Sequence, residues 1–176
     1  MTTAETPKLY KVLLNGASCH GGSLQWPLPT KNEDGTWIPG AWTEVTGPLA
    51  LCENGLYLAS QPTMWYVEGS TLYAAEYDGD LVGDTVSDKV CVRRVRLVSE
   101  ALWADHGVYH AGEHSLFGNA TATLFDNATA TLSGNATAIS TPWHSESAQV
   151  TLSQMAAHVD RRNGKLVFHS AEMSMP

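Results

Sequence analysis

Residues 118–141 read GNATATLF, DNATATLS and GNATAIST, which are three tandem copies of one octad. Side chains alternate between the two faces of a β-strand, and a period of eight residues is even. Every copy therefore presents its Ala and Leu side chains on one face and its Thr side chains on the other. The Gly-Asn and Asp-Asn pairs between copies favour tight turns. This stretch predicts a β region with a small apolar inner face and a threonine-rich outer face.

Two β architectures fit the octad. In a β-solenoid the copies stack in register, so identical Thr and Ala side chains form ladders. In a β-meander, strands of about six residues are joined by turns of about two residues. The ladders favour the solenoid, but the meander stays open. An alanine-rich face buries little volume, so we expect the repeat to dock onto the rest of the chain or to form a homo-oligomer, such as a trimer.

The composition of the chain shifts near residues 106–114, which contain three histidines and two glycines. We predict a globular module at residues 8–105 and an octapeptide-repeat β region at residues 106–176, capped by a hairpin at Asn163-Gly164. Helix signals are scarce, so the predicted fold class is mostly β, with α+β open for the N-terminal module. A turn is expected at residues 78–80, and one or two helical turns at residues 62–67 with Ser60 as N-cap. The predicted strands of the module are residues 8–14, 56–60, 71–78 and 89–99.

Length and composition describe a folded globular chain, with 176 residues, 43% hydrophobic and 16% charged. The net charge of −8 opposes sequence-independent nucleic-acid binding, which requires a basic surface. The basic run at residues 93–96 alternates with valine and is predicted to be the solvated face of a strand. No apolar run is long enough to span a membrane, and the first residues lack a secretory signal. Three cysteines without CxxC spacing indicate neither a disulfide framework nor a zinc site, so we expect a cytoplasmic protein.

His20 is the strongest single candidate for ligand binding. Gly21 and Gly22 let the backbone approach a ligand closely, and an imidazole there can donate to a ribose hydroxyl. A loop histidine bonded to a main-chain carbonyl is the alternative. Tyr57 alternates with two leucines, so it either lines a cleft or packs in a second core.

The cysteines, tryptophans and remaining histidines favour structural roles. Cys19 adjoins His20, but neighbours in a strand point to opposite faces, which disfavours a thiol nucleophile activated by that imidazole. Cys52 and Cys91 are predicted to be small buried hydrophobes, and the tryptophans of the module to cover its core. The histidines of residues 106–114 have a spacing that would align them for a metal on a helix, but two glycines oppose a helix there. We assign no metal site.

Short motifs run through the module: YKVL at residues 10–13, SCHGG at 18–22, WTEV at 42–45, GPL at 47–49, CENGLYL at 52–58, and the strand at 93–97. In these motifs residues 8–100 resemble a domain of unknown function found in phage, prophage and actinobacterial proteins. Members of that group often run on into short tandem repeats. Tyr57 departs from the group, since many relatives have His at this position. The resemblance implies a phage-encoded protein of the host cytoplasm or the virion, and no particular chemistry.

The order of elements in the module carries a second resemblance. A strand leads to the loop at His20, a short strand carries Tyr57 and Ser60, a turn bears Trp65, and two strands with acidic residues follow. This layout is similar to that of small ADP-ribosyltransferases of the rifampin-modifying and diphtheria-toxin-like type. It implies a compact ADP-ribosyltransferase-like module.

That second resemblance implies NAD as the cofactor. His20 would then bind the NAD ribose and Tyr57 would stack on the nicotinamide. Asp88 or Glu76 would stabilise the oxocarbenium-like centre. The remaining cofactor-binding positions would be Gly21, Gly22, Ser60 and Trp65.

Two functions are compatible with the sequence. The first is a phage-type binding or structural module, in which the β repeat displays or oligomerises a globular recognition domain for an unidentified protein or small molecule. The alternative is an NAD-dependent ADP-ribosyltransferase-like enzyme that uses His20, Tyr57 and Asp88. We expect neither a membrane nor a nucleic-acid partner in either case.

Overall fold

The computed structural model describes residues 8–19, 22–83, 89–110, 112–125, 128–140, 149–152, 156–160 and 167–170. Within these ranges the chain is mostly β, as predicted, with short 3-10 helices and no α-helix. None of the helices described is long and apolar enough to cross a membrane. The chain divides into two compact units, Met1–Leu102 (the N-terminal unit) and Trp103–Pro176 (the C-terminal unit). The boundary between these two units follows Leu102.

The N-terminal unit begins with short strands and ends with two long ones. Proline and glycine are frequent between residues 16 and 55, and they limit strand length because proline removes backbone donors and glycine favours turns. The elements are β1 (Leu9–Leu14), β2 (Ala17–Ser18), β3 (Thr30–Lys31), β4 (Trp37–Ile38), β5 (Thr43–Glu44), β6 (Leu56–Ala59), the 3-10 helix η1 (Pro62–Trp65), β7 (Thr71–Gly83) and β8 (Lys89–Ala101).

The main sheet of this unit closes on itself. Strand β8 pairs antiparallel with β7 over residues 90–101 and with β6 over residues 89–92. Strand β1 pairs antiparallel with β7 over residues 9–13 and with β6 at Tyr10 and Ala59. The hydrogen-bonded circuit β1–β7–β8–β6–β1 is therefore closed, with β2 and β5 added beside it. Closure removes most exposed strand edges from the described part of this sheet.

Alternating side chains of these strands form the core of the unit. Leu13, Val90, Val92 and Val95 are fully buried. Burial of branched aliphatic side chains at about 25 cal/mol per Å² is the main stabilising contribution to such a core. The remaining buried members of the cluster are Leu9, Trp26, Leu56, Leu58, Tyr73 and Leu97.

Two local expectations for this unit are wrong. Strand β7 does not end in a turn at residues 78–80; it continues to Gly83 across an irregularity between Asp78 and Leu81. Gly79 has a φ of +86°, the left-handed conformation that a β-bulge accommodates without reversing the chain. The helix at residues 62–65 follows Gln61, whose side chain makes no capping hydrogen bond, so Ser60 is not the N-cap.

The C-terminal unit consists of short strands of similar length. Its elements are the 3-10 helix η2 (Trp103–His106), β9 (Val108–Tyr109), β10 (Glu113–Leu116), β11 (Thr121–Leu124), β12 (Thr129–Leu132), β13 (Thr137–Ser140), β14 (Gln149–Leu152), β15 (Ala157–Asp160) and β16 (Val167–Ser170).

Consecutive strands of this unit alternate between two parallel sheets. One sheet has the order β10–β12–β14, and the other has the order β9–β11–β13–β15 with β16 added antiparallel to β15. Thr121 pairs with Thr137, so each octad pairs with the second octad along the chain and not with the next one. A meander requires consecutive copies to pair antiparallel. The meander alternative is therefore wrong for the described strands.

The side chains of the octads divide between the two faces as the sequence predicts. The inner Ala and Leu positions form one buried cluster, within which Leu124, Ala130 and Leu132 are fully buried. The Thr side chains of the same strands are half-buried or exposed. Even-numbered spacing keeps this division through every copy.

The turn residues of the octads also stack two copies apart. The side-chain amide of Asn135 donates to Oδ1 of Asn119 at 3.2 Å. Gly118 and Gly134 both have a positive φ, and a Cβ on Gly134 would lie 3.0 Å from the backbone nitrogen of Gly118. The Gly-Asn pairs therefore supply both the left-handed turn conformation and an amide ladder between stacked turns.

The third octad places a polar residue inside. Ser140 occupies the inner position that is leucine in the first two copies, and it is fully buried. Its hydroxyl shares a 2.8 Å hydrogen bond with Nε2 of His158, which is also buried. The ring of His158 stacks on that of His169 at 5.4 Å, which links β15 to β16. Strands β15 and β16 pair antiparallel, as the two strands of the predicted hairpin would. The predicted turn at Asn163-Gly164 lies outside the described residues.

Candidate functional site: a cavity between two strands of the N-terminal unit

A cavity of about 380 Å³ opens in the N-terminal unit between β1 and β6. Its wall includes two lysines, four large aromatic residues and two cysteines, and no carboxylate is present among the described residues that line it. We call it the β1–β6 cavity. The lining residues are Tyr10, Lys11, Val12, Ser18, Cys19, Gly22, Leu24, Trp26, Cys52, Gly55, Leu56, Tyr57, Leu58, Ala59, Trp65 and Lys89.

The cavity exists because β1 and β6 separate soon after they meet. They pair at Tyr10, near the start of β1, and at Ala59, the last residue of β6. Beyond that point the main-chain oxygen of Tyr57 accepts a hydrogen bond from the Lys11 Nζ at 3.0 Å. A side-chain ammonium from β1 thus contacts the main chain of β6 across the opening between the strands.

Lys11 lies in a largely desolvated environment. Its Nζ is 4.8 Å from the centroid of the Trp26 ring, and Trp26 is held in turn by a hydrogen bond from its Nε1 to Ser18 Oγ at 3.1 Å. Burial is the main cause that lowers the pKa of Lys11 to about 8; Cys19 opposes this shift, and the positive charge of Lys89 adds to it. Near neutral pH an appreciable fraction of this side chain is therefore an uncharged amine.

Lys89 supplies the second cation. Its Nζ lies 4.4 Å from the centroid of the Tyr57 ring and 5.9 Å from that of Trp65. It also lies 3.6 Å from Sγ of Cys52. Tyr57 pairs with Cys91 across β6 and β8, and Lys89 precedes Cys91 by two residues, so Tyr57 and Lys89 share one face of the sheet.

The cysteines of this region differ in their surroundings. Cys91 is fully buried, as predicted, and its thiol lies 3.3 Å from the Asn54 carbonyl. Cys52 is exposed with a φ of +68°, so the prediction that it is a buried hydrophobe is wrong. Burial raises the pKa of the thiols of Cys19 and Cys91, which keeps both protonated at neutral pH. Neither is poised as a thiolate nucleophile.

Gly55 allows the strands to pack closely behind the cavity. A Cβ at this position would lie 1.9 Å from Sγ of Cys91, and the φ of Gly55 is +150°. The hydroxyl of Tyr57 donates to the main-chain carbonyl of Ala50 at 3.4 Å. This bond holds the Tyr57 ring against the segment that precedes β6. Desolvation raises the pKa of Tyr57, so the phenol stays neutral. These contacts make the wall of the cavity rigid around the Tyr57 ring.

The structure brings some of the predicted site residues together. Tyr57, Trp65 and Gly22 line the β1–β6 cavity. Ser60 follows β6 and does not line it. Glu76 does not reach it either, because its carboxylate forms an ion pair of 2.6 Å with Arg96 across β7 and β8. His20, Gly21 and Asp88 lie outside the described residues.

The lysines and Trp26 were missed by the sequence analysis. The signal for Lys11 is its position in β1: it alternates with Leu9 and Leu13, both buried, so a lone lysine occupies an inward register. A charged residue at such a position is rarely buried without a partner or a role. Lys89 carries no comparable signal, because lysine at the start of a strand is common on solvated surfaces.

The basic run at residues 93–96 lies in β8, as predicted, and two of its arginines form ion pairs with carboxylates. Arg94 contacts Asp78 at 3.2 Å and Glu44 at 3.9 Å. Arg94 and Arg96 both lie over the Trp42 ring, with their guanidinium carbons 4.6 and 4.9 Å from its centroid. Carboxylates thus occupy the positions that a phosphate backbone would need.

The histidines of residues 106–114 do not share a helix. His106 ends η2, whereas His114 lies in β10 with its ring 4.5 Å from that of Tyr109. In the part of the chain that the structure describes, no group of three or more His, Cys, Asp or Glu side chains is arranged to hold a metal ion. These imidazoles are therefore not aligned on one helix, which agrees with the two glycines that oppose a helix in this stretch.

Comparisons with protein-family models, with curated proteins and with solved structures found no match for this chain. The chemistry of the β1–β6 cavity is accordingly inferred from its own residues.

Proposed function

We propose that the chain is a two-part binding protein whose N-terminal unit recognises a small anionic ligand that carries an aromatic ring. The β1–β6 cavity supports this proposal, because it combines Lys11 and Lys89 with aromatic walls and no described carboxylate. The whole chain has a net charge of −8, so a cavity lined by two cations differs from the average surface. Local charge of one sign in a concave site concentrates ligands of the opposite sign.

Lys89 is the better placed of the two lysines to hold an anion. Its Nζ lies over the Tyr57 ring at 4.4 Å and has Cys52 Sγ as a neighbour at 3.6 Å. Neither neighbour neutralises its charge as a carboxylate would. A phosphate or carboxylate of the ligand would complete the coordination of this ammonium.

The aromatic residues and the size of the cavity define the rest of the ligand. Trp26, Tyr57 and Trp65 present flat apolar surfaces to the cavity, and such surfaces stack on planar rings. The volume of about 380 Å³ is near the small end of the range of about 300–1,000 Å³ that is typical of ligand sites. One ring with one anionic substituent suits this volume better than an enclosed dinucleotide.

The C-terminal unit is proposed to be a short β-solenoid with two octads per coil, which displays or oligomerises the N-terminal unit in a phage-type assembly. Parallel pairing between alternate octads and the Asn119–Asn135 ladder support this interpretation. Light scattering on the eluting peak of a size-exclusion column measures the oligomeric state. A multimer that becomes monomeric when residues 103–176 are deleted supports oligomerisation, and a monomeric full-length chain leaves display as the only role of the repeat.

An NAD-dependent ADP-ribosyltransferase-like enzyme is the second candidate. It is favoured by the convergence of Tyr57, Trp65 and Gly22 on one cavity. Tyr57 would be the stacking residue of such an enzyme. NAD that raises the melting temperature and is hydrolysed by the wild type, but not by His20→Ala, supports this candidate. NAD that does neither excludes it.

The binding proposal is tested by thermal unfolding of the full chain with matched ligands. AMP and pyridoxine 5′-phosphate are each compared with the uncharged partner, adenosine or pyridoxine. A ligand at a hundred times its Kd stabilises the folded state by about 2.7 kcal/mol, which raises the melting temperature by a few degrees. We expect at least one phosphate to raise it and the uncharged partner to have a smaller effect.

Two lysine variants localise the effect. Lys89→Gln should remove the shift. Lys31→Gln should retain it, because Lys31 is an exposed lysine 5.5 Å from the ring of Trp37, outside the β1–β6 cavity. The binding proposal fails if neither phosphate raises the melting temperature, or if Lys89→Gln responds like the wild type.

A further inference from the structure

Lys11 combines features that a purely structural lysine does not need. Lys11 lines the β1–β6 cavity, and its Nζ lies 4.8 Å from the Trp26 ring centroid and donates to the Tyr57 carbonyl at 3.0 Å. Lys11 therefore lies between an apolar wall and the cavity in which a bound molecule would sit. A second cation, Lys89, lines the same cavity.

We propose that Lys11 is a nucleophilic lysine that forms an imine with an aldehyde or ketone ligand carrying an aromatic ring and an anionic group. This inference deepens the proposed function and rests on it. Lys89 would hold the anionic group, the aromatic walls would hold the ring, and the carbonyl carbon would meet the nitrogen of Lys11. A desolvated lysine close to another cation is a recognised arrangement for Schiff-base chemistry.

The chemical step uses only the amine and the carbonyl compound. The lone pair of the neutral Lys11 nitrogen attacks the carbonyl carbon, and the carbonyl oxygen takes up a proton to give a carbinolamine. The two hydrogens of the amine leave with that oxygen as water while a C=N double bond forms. No oxidant or reductant takes part, and hydrolysis with one water returns the free lysine and the carbonyl compound.

The surroundings of Lys11 favour this reaction. Burial and the charge of Lys89 lower its pKa to about 8, so the neutral amine is populated near neutral pH. The thiol of Cys19, whose pKa is raised by burial, remains protonated and offers no competing thiolate. Lys31, an exposed lysine, does not line this cavity.

Pyridoxal 5′-phosphate is the probe, since it carries an aldehyde, an aromatic ring and a phosphate. The full chain is incubated with one equivalent at pH 7.5 and reduced with borohydride, and the modified peptides are identified by mass spectrometry. We expect the reduced adduct on Lys11 at a level at least about tenfold above that on Lys31, because Lys31 does not line the cavity that would hold the aldehyde beside the amine. The rate of labelling at Lys11 should rise with pH around a midpoint near 8.

Variants and an unreactive analogue separate this inference from the proposed function. Lys11→Arg should abolish the cavity adduct and keep the shift in melting temperature with pyridoxine 5′-phosphate, which has an alcohol in place of the aldehyde. Lys31→Gln should be labelled at Lys11 like the wild type. If pyridoxine 5′-phosphate stabilises the wild type but no adduct forms on Lys11, the imine is excluded and the binding function stands. If it stabilises nothing and the adducts are spread evenly over exposed lysines, both are wrong.

Discussion

Lys11 Nζ donates to the main-chain oxygen of Tyr57 at 3.0 Å, at the place where β1 and β6 have parted. This hydrogen bond holds the Lys11 ammonium at the opening between the two strands. The lysine side chain bridges the two strands where no further residue pair joins the described parts of β1 and β6. The same separation creates the cavity, so its shape and its charge have one structural cause.

Replacing Lys11 with methionine should stabilise the fold near neutral pH. The folded-state pKa of about 8 lies below the ordinary value of 10.5, so between these values the unfolded chain binds more protons than the folded one. The unfavourable contribution of Lys11 is therefore complete below about pH 8 and disappears as pH rises toward 10.5. We expect Lys11→Met to raise the free energy of unfolding by about 1–2 kcal/mol at pH 7, after the loss of one hydrogen bond, and by less at pH 10. Denaturant unfolding of both proteins at several pH values measures this difference; a variant that is less stable at pH 7 would show that Lys11 is a net structural support.

The ring of Tyr57, rather than its hydroxyl, should matter for ligand binding. The ring lines the cavity beside Lys89, whereas the hydroxyl points to the Ala50 carbonyl. Tyr57→Phe should bind pyridoxine 5′-phosphate with an affinity close to that of the wild type, and Tyr57→Ala should lose about tenfold, since an aromatic contact of this kind contributes about 1–2 kcal/mol. Calorimetric titration gives both affinities. Equal losses in the two variants would instead assign the role to the hydroxyl.

Gly55→Ala should destabilise the N-terminal unit strongly. The added methyl would lie 1.9 Å from Cys91 Sγ at a φ of +150°, and strain with overpacking of this kind costs about 3 kcal/mol or more. Gly79→Ala is the matched control, because Gly79 also has a positive φ but no atom within 4 Å of the added carbon. It should cost only about 1 kcal/mol. Urea unfolding distinguishes the two, and similar losses would mean that the backbone conformation alone decides.

Ala130→Leu should unfold or loosen the C-terminal unit, while Thr131→Leu should be tolerated. Ala130 is fully buried between the sheets of this unit, and its neighbour Thr131 is exposed. Overpacking of a closed core costs about 1–3 kcal/mol. Hydrogen exchange of the amides in β12 and β14 measures the local effect. If exchange protection is lost in Thr131→Leu but kept in Ala130→Leu, the assignment of Ala130 to the inner face and Thr131 to the outer face is wrong.

Ser140→Ala should destabilise the C-terminal unit by about 1–3 kcal/mol, because it removes a hydrogen-bond partner from buried His158. Ser115→Ala is a suitable control, since Ser115 is exposed on β10. Thermal unfolding of the two variants gives the comparison. A loss no larger than that of the control would indicate that the Ser140–His158 bond contributes little net stability.

Much of the C-terminal unit could be predicted from the sequence because an even repeat fixes the face of every side chain in a strand. The octads specify that Ala130 points inward and Thr131 outward, as observed. The pairing between strands was harder to predict, because identical copies do not reveal whether Thr121 pairs with Thr129 or with Thr137. In the structure Thr121 pairs with Thr137. The sequence at residues 78–80 predicts a turn where the structure has a bulge, because both features use a glycine with positive φ, here Gly79.

The cavity was only partly predictable. Alternation with two leucines indicated that Tyr57 faces a cleft or a second core, and it faces the cavity. Alternation with Leu9 and Leu13 places Lys11 on an inward face, but the cavity that it meets there exists only because β1 and β6 separate after Tyr10 and Ala59. That separation depends on the long-range pairing of both strands with β7 and β8, which no local pattern encodes.

The most direct measurement is a crystal structure of the full chain grown with a saturating concentration of pyridoxine 5′-phosphate. The account predicts its phosphate within about 3 Å of Lys89 Nζ, as charge-assisted hydrogen bonds require. Its ring should lie against Tyr57, Trp65 or Trp26. A β1–β6 cavity that holds only solvent under these conditions, or a phosphate bound elsewhere on the chain, would contradict the account.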